Sequence, residues 1–268
     1  MSTHALSPGS WTNWLLGCEE NRVSPALNLA RGTYRLRLAQ SEEQRAAAFR
    51  LRFEVFNLEL HEGFDRAYAT GQDVDEYDSI CDHLIVEERQ TGKVVGTYRL
   101  QTGSTAAANA GYYSEREFDF TPYRHLEDSM VELGRACVAR EHRSSEVLFL
   151  LWHGIVEYAL RHHARYLIGC SSLTSQDPVE GTSVYVELKK FVVPPPLRTL
   201  PQVEFAMPLQ RAGCANSRVP KLLRTYLAVG AKICGPPAID REFKTIDFLT
   251  LMDLAELHPR FQSRFLRP

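Results

Sequence analysis

The stretch Met130-Val-Glu-Leu-Gly-Arg-Ala-Cys-Val-Ala139 decides the fold, because it predicts a central strand that carries two charges. Apolar residues flank Glu132 and Arg135, and burying either charge is costly unless it is paired or faces a cleft. In a flat strand these side chains would point to opposite faces, since the side-chain period is two. Gly134 lies between them and favours a bulge, which would turn both toward one opening.

The segments on either side of this strand predict an α/β fold with a mixed sheet. Downstream, Arg143 to Arg165 has apolar residues at helical spacing, and Tyr166–Cys170 is typical of a strand. Upstream, a helix begins at Ser41, with Gln44 completing a capping box. The strands predicted before the central one are Tyr34–Leu38, Cys81–Glu88 and Val94–Gln101.

The length of 268 residues favours one elaborated domain over two full ones. Residues 1–31 have little periodicity and form a lead-in, and residues 32–193 form the predicted core. Pro194-Pro195-Pro196 interrupts the chain, because proline has no backbone donor and restricts the residue before it. Residues 194–268 are expected to pack on the core, with a helix near Val219–Val229 and a strand near Phe243–Leu251.

Composition argues against several classes of function. The formal net charge of −2 leaves no surplus of positive charge for nucleic acid as a general partner. The six cysteines are scattered singly, which favours reduced thiols in a cytoplasmic protein and no zinc site. The most apolar segment, Val147 to Leu160, is shorter than the about 20 residues of a membrane-spanning helix, and no secretory signal pattern opens the chain.

Charged residues concentrate in three places that could carry chemistry. The first is Arg52 with Phe56 on the opening helix, and the second is an acidic loop with Arg99. The third is the pair on the central strand. The loop carboxylates are Asp73, Asp75 and Asp78. They lack the glycine and terminal glutamate of an EF-hand, so no metal is expected. The charges could serve a cleft, or the loop aspartates could simply brace the arginines, Arg135 included.

In this order, the three clusters resemble acyltransferases that use acyl carrier protein as donor, a branch related to the GNAT acetyltransferases. One arm of that branch is the acyl-homoserine-lactone synthases, which usually have glutamate where this chain has Asp73. A closer resemblance is to the ornithine N-acyltransferases, and it extends from about Tyr34 to Phe265. The matching motifs are Glu132-Leu-Gly-Arg-Ala-Cys-Val138, Leu150-Leu-Trp-His-Gly-Ile155, Tyr166-Leu-Ile-Gly-Cys-Ser-Ser172 and Pro220-Lys-Leu-Leu-Arg-Thr-Tyr-Leu227, followed by Asp240, Phe243 and Asp247.

The resemblance implies an α/β, GNAT-like fold, in which a mixed, splayed central sheet is flanked by helices and followed by a C-terminal extension. It implies transfer of a (3-hydroxy) fatty acyl group to the α-amine of an amino acid, with L-ornithine the expected acceptor in lyso-ornithine lipid synthesis. The donor would be the acyl-phosphopantetheine of acyl carrier protein, and no cofactor would be bound. The same resemblance leaves open another N-acyl amino acid synthase or a homoserine-lactone synthase. An acyl-carrier or lipid-binding protein without catalysis is the non-enzymatic alternative.

Roles for individual residues follow from the resemblance and from the needs of acyl transfer. Glu132 is expected to remove the proton from the amine, with Arg135 as its catalytic neighbour. Arg99 and Arg135 could grip the carboxylate of the amino acid, or they could instead order the acidic loop. The residues expected to bind substrate are Arg52, Phe56, Asp73, Asp75, Asp78 and Arg99.

Contacts with larger partners are expected at two kinds of surface. The turn before the helix that starts near Arg143 has no glycine, which suits a donor whose phosphate belongs to a carrier protein. Arg140 and Arg143 could meet the acidic carrier there, or they could simply be exposed. Amphipathic stretches at Trp11–Leu16 and Phe261–Leu266 could touch the inner membrane peripherally, or pack on the core.

Overall fold

The computed structural model describes residues 27–210, residues 218–257 and Phe261. Of the two stretches proposed for membrane contact, Trp11–Leu16 lies outside the described residues, and so does Phe261–Leu266 apart from its first residue. In the described part of the chain, no helix is both long enough and apolar enough to cross a bilayer.

The described residues form nine strands and five α-helices, joined by several short 3-10 turns. The strands are β1 (Asn28–Arg31), β2 (Tyr34–Leu38), β3 (Asp82–Glu88), β4 (Val94–Thr102), β5 (Met130–Val138), β6 (Tyr166–Leu173), β7 (Lys232–Ile233), β8 (Ala238–Asp240) and β9 (Thr245–Asp253). The helices are α1 (Glu42–Phe53), α2 (Gly103–Ala108), α3 (Ser145–Arg161), α4 (Pro178–Leu188) and α5 (Lys221–Val229).

All nine strands belong to one sheet, in the order β1-β2-β3-β4-β5-β6-β9-β7, and β8 also pairs with β9. Only the β5–β6 pair is parallel; the other pairs are antiparallel. A parallel connection needs a crossover, and α3 supplies it between β5 and β6. The prediction of a mixed α/β fold with flanking helices is therefore confirmed.

Helix α1 begins where its sequence predicts. The Ser41 side chain accepts a hydrogen bond from the backbone amide of Gln44 at 3.4 Å and satisfies one orphan amide of the first turn. The Gln44 side chain reaches back, as in a capping box, but it accepts from the amide of Gln40 at 2.7 Å and not from that of Ser41. After α1 the chain continues directly into a π-helical turn at Glu54–Glu59.

The sheet splays between β5 and β6. The two strands pair only from Met130↔Tyr166 to Glu132↔Ile168 and separate beyond that point. Where they part, Gly169 packs so closely that a Cβ there would lie 2.1 Å from the carbonyl oxygen of Leu133. A side chain at this position would force the strands further apart, so glycine sets the point of divergence.

The predicted bulge in β5 is present, at the boundary of Gly134 and Arg135. Arg135 has a positive φ of 49°, a conformation that non-glycine residues rarely adopt. The register of the β4–β5 pair shifts at the same place, between Thr97 and Arg99 on β4. The bulge re-aims the second half of β5, so that Glu132 and Arg135 both face the cavity described below.

The C-terminal segment extends the same sheet. Strand β9 pairs with β6 over eight residues, from Tyr166↔Asp253 to Leu173↔Ile246. Helix α4, between these strands, has no counterpart among the sequence-based predictions. Asp177 caps its N-terminus, because the Asp177 side chain accepts a hydrogen bond from the amide of Val179, and Pro178 is the first residue of the helix.

Candidate active site

A cavity of about 570 Å³ opens where β5 and β6 separate, and β9 and α5 complete its wall. Its lining falls into an apolar group and a charged group. Apolar lining residues include Val55, Phe56, Leu148, Trp152, Leu223, Tyr226 and Met252. The charged lining residues are Glu62, Arg99, Glu117, Glu132, Arg135, Arg143, Lys221, Asp240 and Asp247.

Glu132 lies on β5 in the wall of this cavity and is only 4% exposed. Its two carboxylate oxygens accept hydrogen bonds from the backbone amides of Tyr113 at 2.9 Å and Ser114 at 2.7 Å. Burial raises the pKa of Glu132, while the hydrogen bonds from Ser114 and the charge of Arg99 oppose that rise without cancelling it. A buried carboxylate with a raised pKa, fixed by two backbone donors, is suited to general-base work.

A buried ionic network lies next to Glu132 and joins the opening helix, the acidic loop and two strands. We refer to it as the arginine–aspartate network, and it consists of Arg52, Arg99, Arg135, Asp73, Asp75 and Asp78. Arg52 is 1% exposed and donates to Asp73 at 2.7 Å and to both oxygens of Asp78 at 2.7 and 2.9 Å. Charges are matched inside this network, so each buried ion has a partner.

The two arginines of the network that reach the cavity are also held by the acidic loop. Arg99 donates to Asp75 at 2.5 Å, and Arg135 donates to the other oxygen of the same carboxylate at 2.8 Å. The guanidinium of Arg135 also lies over the ring of Phe243, 4.2 Å from its centroid. Burial alone would raise the pKa of Asp75, but Arg99 and Arg135 hold it below its ordinary value. These are the contacts that we expect if the acidic loop braces the two arginines.

The residues predicted to bind substrate separate into two sets. Phe56 and Arg99 line the cavity together with Glu132 and Arg135, the pair predicted to be catalytic. The others lie in the network behind its wall and are not among the lining residues. These are Arg52, Asp73, Asp75 and Asp78. The ion pairs of this second set are with one another and with Arg99 and Arg135, so any influence on substrate would pass through those two arginines.

The two arginines expected to meet acyl carrier protein lie before α3, and both are exposed. Arg143 donates through both terminal nitrogens to the carboxylate of Glu59, at 2.7 Å each, and it also lines the mouth of the cavity. Arg140 lies in the 3-10 turn Arg140–His142. Docking at Arg143 would therefore compete with an existing ion pair.

Three further carboxylates meet inside the cavity, and sequence reasoning did not identify them as a unit. We call Glu117, Asp240 and Asp247 the acidic cluster; one ligand oxygen from each lies within 4.8 Å of the others. All three are buried, and Glu117 is 1% exposed. Asp240 and Asp247 appeared in the motif resemblance, whereas Glu117 stands in no motif. In the described residues this is the one group of acidic, histidine or cysteine side chains whose spacing would suit a metal ion.

Burial has a strong effect on the acidic cluster. It raises the pKa of Glu117 well above its ordinary value, and the neighbouring Asp247 and Asp240 raise it further. Burial likewise raises the pKa of Asp247 to about 6. A group with these properties would bind a cation of suitable size, either a metal ion or an ammonium group.

A family model described as an acetyltransferase (GNAT) domain matches residues 51–153. The chain is similar to an L-ornithine N(alpha)-acyltransferase of Agrobacterium fabrum, with 31% identity over 92% of this chain and 94% of that protein. It is also similar to an L-ornithine N(alpha)-acyltransferase of Brucella abortus, with 32% identity over 87% of this chain and 89% of that protein.

Two solved structures share the fold at low sequence identity. One is FeeM, an N-acyl amino acid synthase from uncultured soil microbes, with a TM-score of 0.52, 12% identity, and coverage of 87% of this chain and 94% of that one. The other is the AHL synthase LasI, with a TM-score of 0.50, 13% identity, and coverage of 87% of this chain and 95% of that one. At such identities these likenesses concern the fold alone.

Proposed function

This chain belongs to the family of L-ornithine N(alpha)-acyltransferases, and we propose that it transfers a fatty acyl group from acyl carrier protein to the α-amine of L-ornithine. The product would be an N-acyl-ornithine, the lyso precursor of an ornithine lipid. The (3-hydroxy)acyl-phosphopantetheine of the carrier would be the donor, and the chain would need no bound cofactor of its own.

The observation that carries this proposal is the position of Glu132 in the cavity, at the point where β5 and β6 part. Acyl transfer requires the acceptor ammonium to lose a proton before the nitrogen can attack. In the proposed reaction Glu132 takes that proton, directly or through one water. The free amine then attacks the thioester carbonyl carbon, a C–N bond forms and the C–S bond breaks; the nitrogen loses its second proton as the amide forms, and the departing phosphopantetheine thiolate takes up a proton in exchange.

The divergence of the two strands supports a place for the donor. Beyond Glu132, the backbone of β5 is not paired with β6, so its polar groups are available to an extended ligand. The phosphopantetheine arm is an extended chain with amide groups, and it would lie in this opening. The apolar lining around Phe56, Trp152 and Met252 would then receive the acyl chain.

Acyl carrier protein would approach the mouth of the cavity near the start of α3. Arg140 and Arg143 are exposed there, and an acidic carrier would be attracted to them. Reversing both charges should raise the apparent KM for the acyl carrier several-fold and make it less sensitive to salt. An unchanged KM would count against docking at this surface.

Membrane contact belongs to the same proposal, because the product is amphiphilic. A cytoplasmic enzyme would then sit peripherally at the inner membrane, using Trp11–Leu16 and the stretch that follows Phe261, whose own ring is buried in the core against Trp152. Sedimentation with liposomes, before and after trimming these ends, tests it. A protein that stays in the supernatant in both cases would contradict the contact.

The experiment that tests the main proposal is incubation of the purified protein with 3-hydroxyacyl carrier protein and a panel of amino acids. The products are identified by mass spectrometry. N-acyl-ornithine as the main product is the expected result. Acylation of other amino acids instead would make the chain an N-acyl amino acid synthase of different specificity. Formation of an acyl-homoserine lactone would make it a homoserine-lactone synthase. Carrier binding without thioester consumption would favour a binding protein.

A further inference from the structure

We propose that the acidic cluster binds the side-chain ammonium group of the acceptor amino acid and so selects acceptors with a cationic side chain. This inference rests on the proposed function and deepens it, because it assigns the acceptor specificity to three residues. The cluster lines the same cavity as Glu132 and can therefore contact a molecule whose α-amine lies at that base.

The first supporting observation is that Glu117 lacks partners for its charge. Among the described residues, its buried Oε1 atom has no hydrogen-bond partner, and its Oε2 atom has only the weak thiol donor of Cys170, at 3.7 Å. Buried polar groups are nearly always paired, and a buried carboxylate costs more than a neutral group when it is not. A donor supplied by a ligand would complete this side chain.

The second observation is that, within the part of the chain that the structure describes, the other two members accept hydrogen bonds from neutral donors only. Asp240 accepts from the backbone amides of Glu242 and Phe243, at 2.9 and 2.8 Å, and from the hydroxyl of Tyr113. Asp247 accepts from the hydroxyls of Ser172, at 2.5 Å, and Thr245, at 2.8 Å. These bonds fix where the carboxylates lie but do not neutralise them.

The third observation is the absence of a cation for the cluster. Among the residues that the structure describes, none of its members forms an ion pair, and the nearby Arg135 donates its hydrogen bond to Asp75. A fourth buried carboxylate, Glu62, lines the same cavity and raises the negative charge of the region. An ammonium group has three donors and one positive charge, so it matches this arrangement of acceptors.

The fourth observation is the connection between the cluster and the proposed base. The amide of Ser114 donates to Glu132, and the Cys170 thiol contacts both the Ser114 hydroxyl, at 3.5 Å, and Glu117. The base and the cluster therefore lie on the same wall, separated by two small side chains. An acceptor with two amines on a short methylene chain could place one at each carboxylate site.

The test compares ornithine with norvaline, which has the same carbon chain but no side-chain ammonium. With the acyl carrier as donor, we expect kcat/KM of the wild type to favour ornithine by about 10²–10⁴-fold, because norvaline leaves the buried carboxylates unpaired. Glu117→Gln keeps the shape and removes the charge. It should raise the KM for ornithine about 10–100-fold with little change in kcat, and leave kcat/KM for norvaline unchanged or improved.

The matched control is Glu187→Gln, an identical change at an exposed position on α4, which should leave both acceptors at wild-type values. Equal use of ornithine and norvaline by the wild type would overturn the inference. An equal loss for both acceptors in Glu117→Gln would do the same, because it would assign Glu117 a structural role. Activity abolished by EDTA and restored by Mg²⁺ or Ca²⁺ would make the cluster a metal site instead.

A measurement of amino acid binding distinguishes a failure of this inference from a failure of the proposed function. Ornithine, but not norvaline, should raise the Tm of the wild type, and this difference should disappear in Glu117→Gln. Stabilisation by ornithine but not norvaline, without any acyl transfer, would contradict the proposed reaction and support the cation site. Acyl transfer to amino acids without such selectivity would keep the reaction and overturn the site.

Discussion

The arginine–aspartate network and the acidic cluster both bury three carboxylates beside the same cavity, but they differ in how those charges are balanced. Each aspartate of the network faces arginines at ion-pair distance. The cluster has hydroxyl, thiol and amide donors, and no cation among the described residues. A buried charge that is matched within the chain belongs to the fold, whereas an unmatched one is better explained by a ligand.

The two regions also shift the pKa values of their carboxyl groups in opposite directions. In the network, Arg99 and Arg135 overcome the effect of burial and lower the pKa of Asp75. In the cluster, burial is not overcome, and the pKa of Asp247 rises to about 6. The network is therefore complete without substrate, while Glu117 and Asp247 of the cluster favour protonation until a cation arrives.

The largest effect is expected at Glu132, the buried carboxylate that lies next to both regions. Glu132→Gln cannot accept a proton at neutral pH, so kcat should fall about 10²–10⁴-fold while the KM for ornithine changes little. Steady-state kinetics with ornithine and acyl carrier measure this. The comparison variant is Glu117→Gln, which should show the reverse pattern. A kcat near that of the wild type would contradict the role of Glu132 as base.

The next effect concerns stability. Arg52→Ala removes the nearest cation from buried Asp73 and Asp78 and leaves them only the longer contacts with Arg135 at 3.5 Å and Arg99 at 3.3 Å, so the free energy of unfolding should fall by about 3–5 kcal/mol. Urea unfolding followed by circular dichroism gives this value. Arg161→Ala removes an exposed ion pair with Glu157 and should cost about 0.5 kcal/mol or less. Similar losses in the two variants would show that the network does not stabilise the fold more than surface charge does.

A smaller effect is expected in the pH dependence of stability without substrate. The pKa values of Glu62, about 7, and Asp247, about 6, lie above those of the unfolded chain. Between about pH 4 and 7 these two carboxyls therefore bind more protons in the folded state than in the unfolded state, and their contribution to stability falls as pH rises. The network acts oppositely, because the stabilisation from Asp75 is present above its unfolded pKa of about 4 and is lost in stronger acid.

Urea titrations at several pH values measure this dependence. Glu62→Gln should reduce the decline between about pH 4.5 and 7, by a free energy on the order of 2 kcal/mol. Ornithine should reduce it as well if the cation site is correct. The same pH dependence in the wild type and in Glu62→Gln would contradict the raised pKa of Glu62.

The smallest effect has the opposite sign to that of Arg52→Ala. Glu117→Gln replaces a buried carboxyl that has no cation partner among the described residues and whose ionisation burial opposes, so the free energy of unfolding without substrate should stay constant or rise by up to about 1 kcal/mol at neutral pH. Thermal and urea unfolding of the substrate-free variant test this. A loss of more than about 1 kcal/mol would indicate that Glu117 is part of the structural framework, as the network is.

Much of the fold could be predicted from local patterns. The central strand was predicted as Met130–Ala139 and is Met130–Val138, and the bulge occurs where Gly134 indicated. Helix α4 could not be predicted in the same way. Its sequence contains glycine and several β-branched residues, which have weak helix propensity, and tertiary packing outweighs that preference.

The site was less predictable than the fold, for a physical reason. Glu132 and Arg135 could be located because their charges interrupt an apolar strand. Glu117 follows a short 3-10 turn, and Asp247 lies on β9 opposite Ser172 of β6. The pairing of β6 with β9 brings these side chains together, and no local pattern in the sequence specifies that pairing.

The position of β9 between β6 and β7 also affects when the protein can become active during its own synthesis. A ribosome releases the segment with Glu132 well before the segment with Asp240 and Asp247. A nascent chain could thus form the early strands, with Glu132 in place, while the proposed acceptor site still lacked Asp240 and Asp247. In the proposed function, selection of the acceptor would begin only once β8 and β9 had joined the sheet.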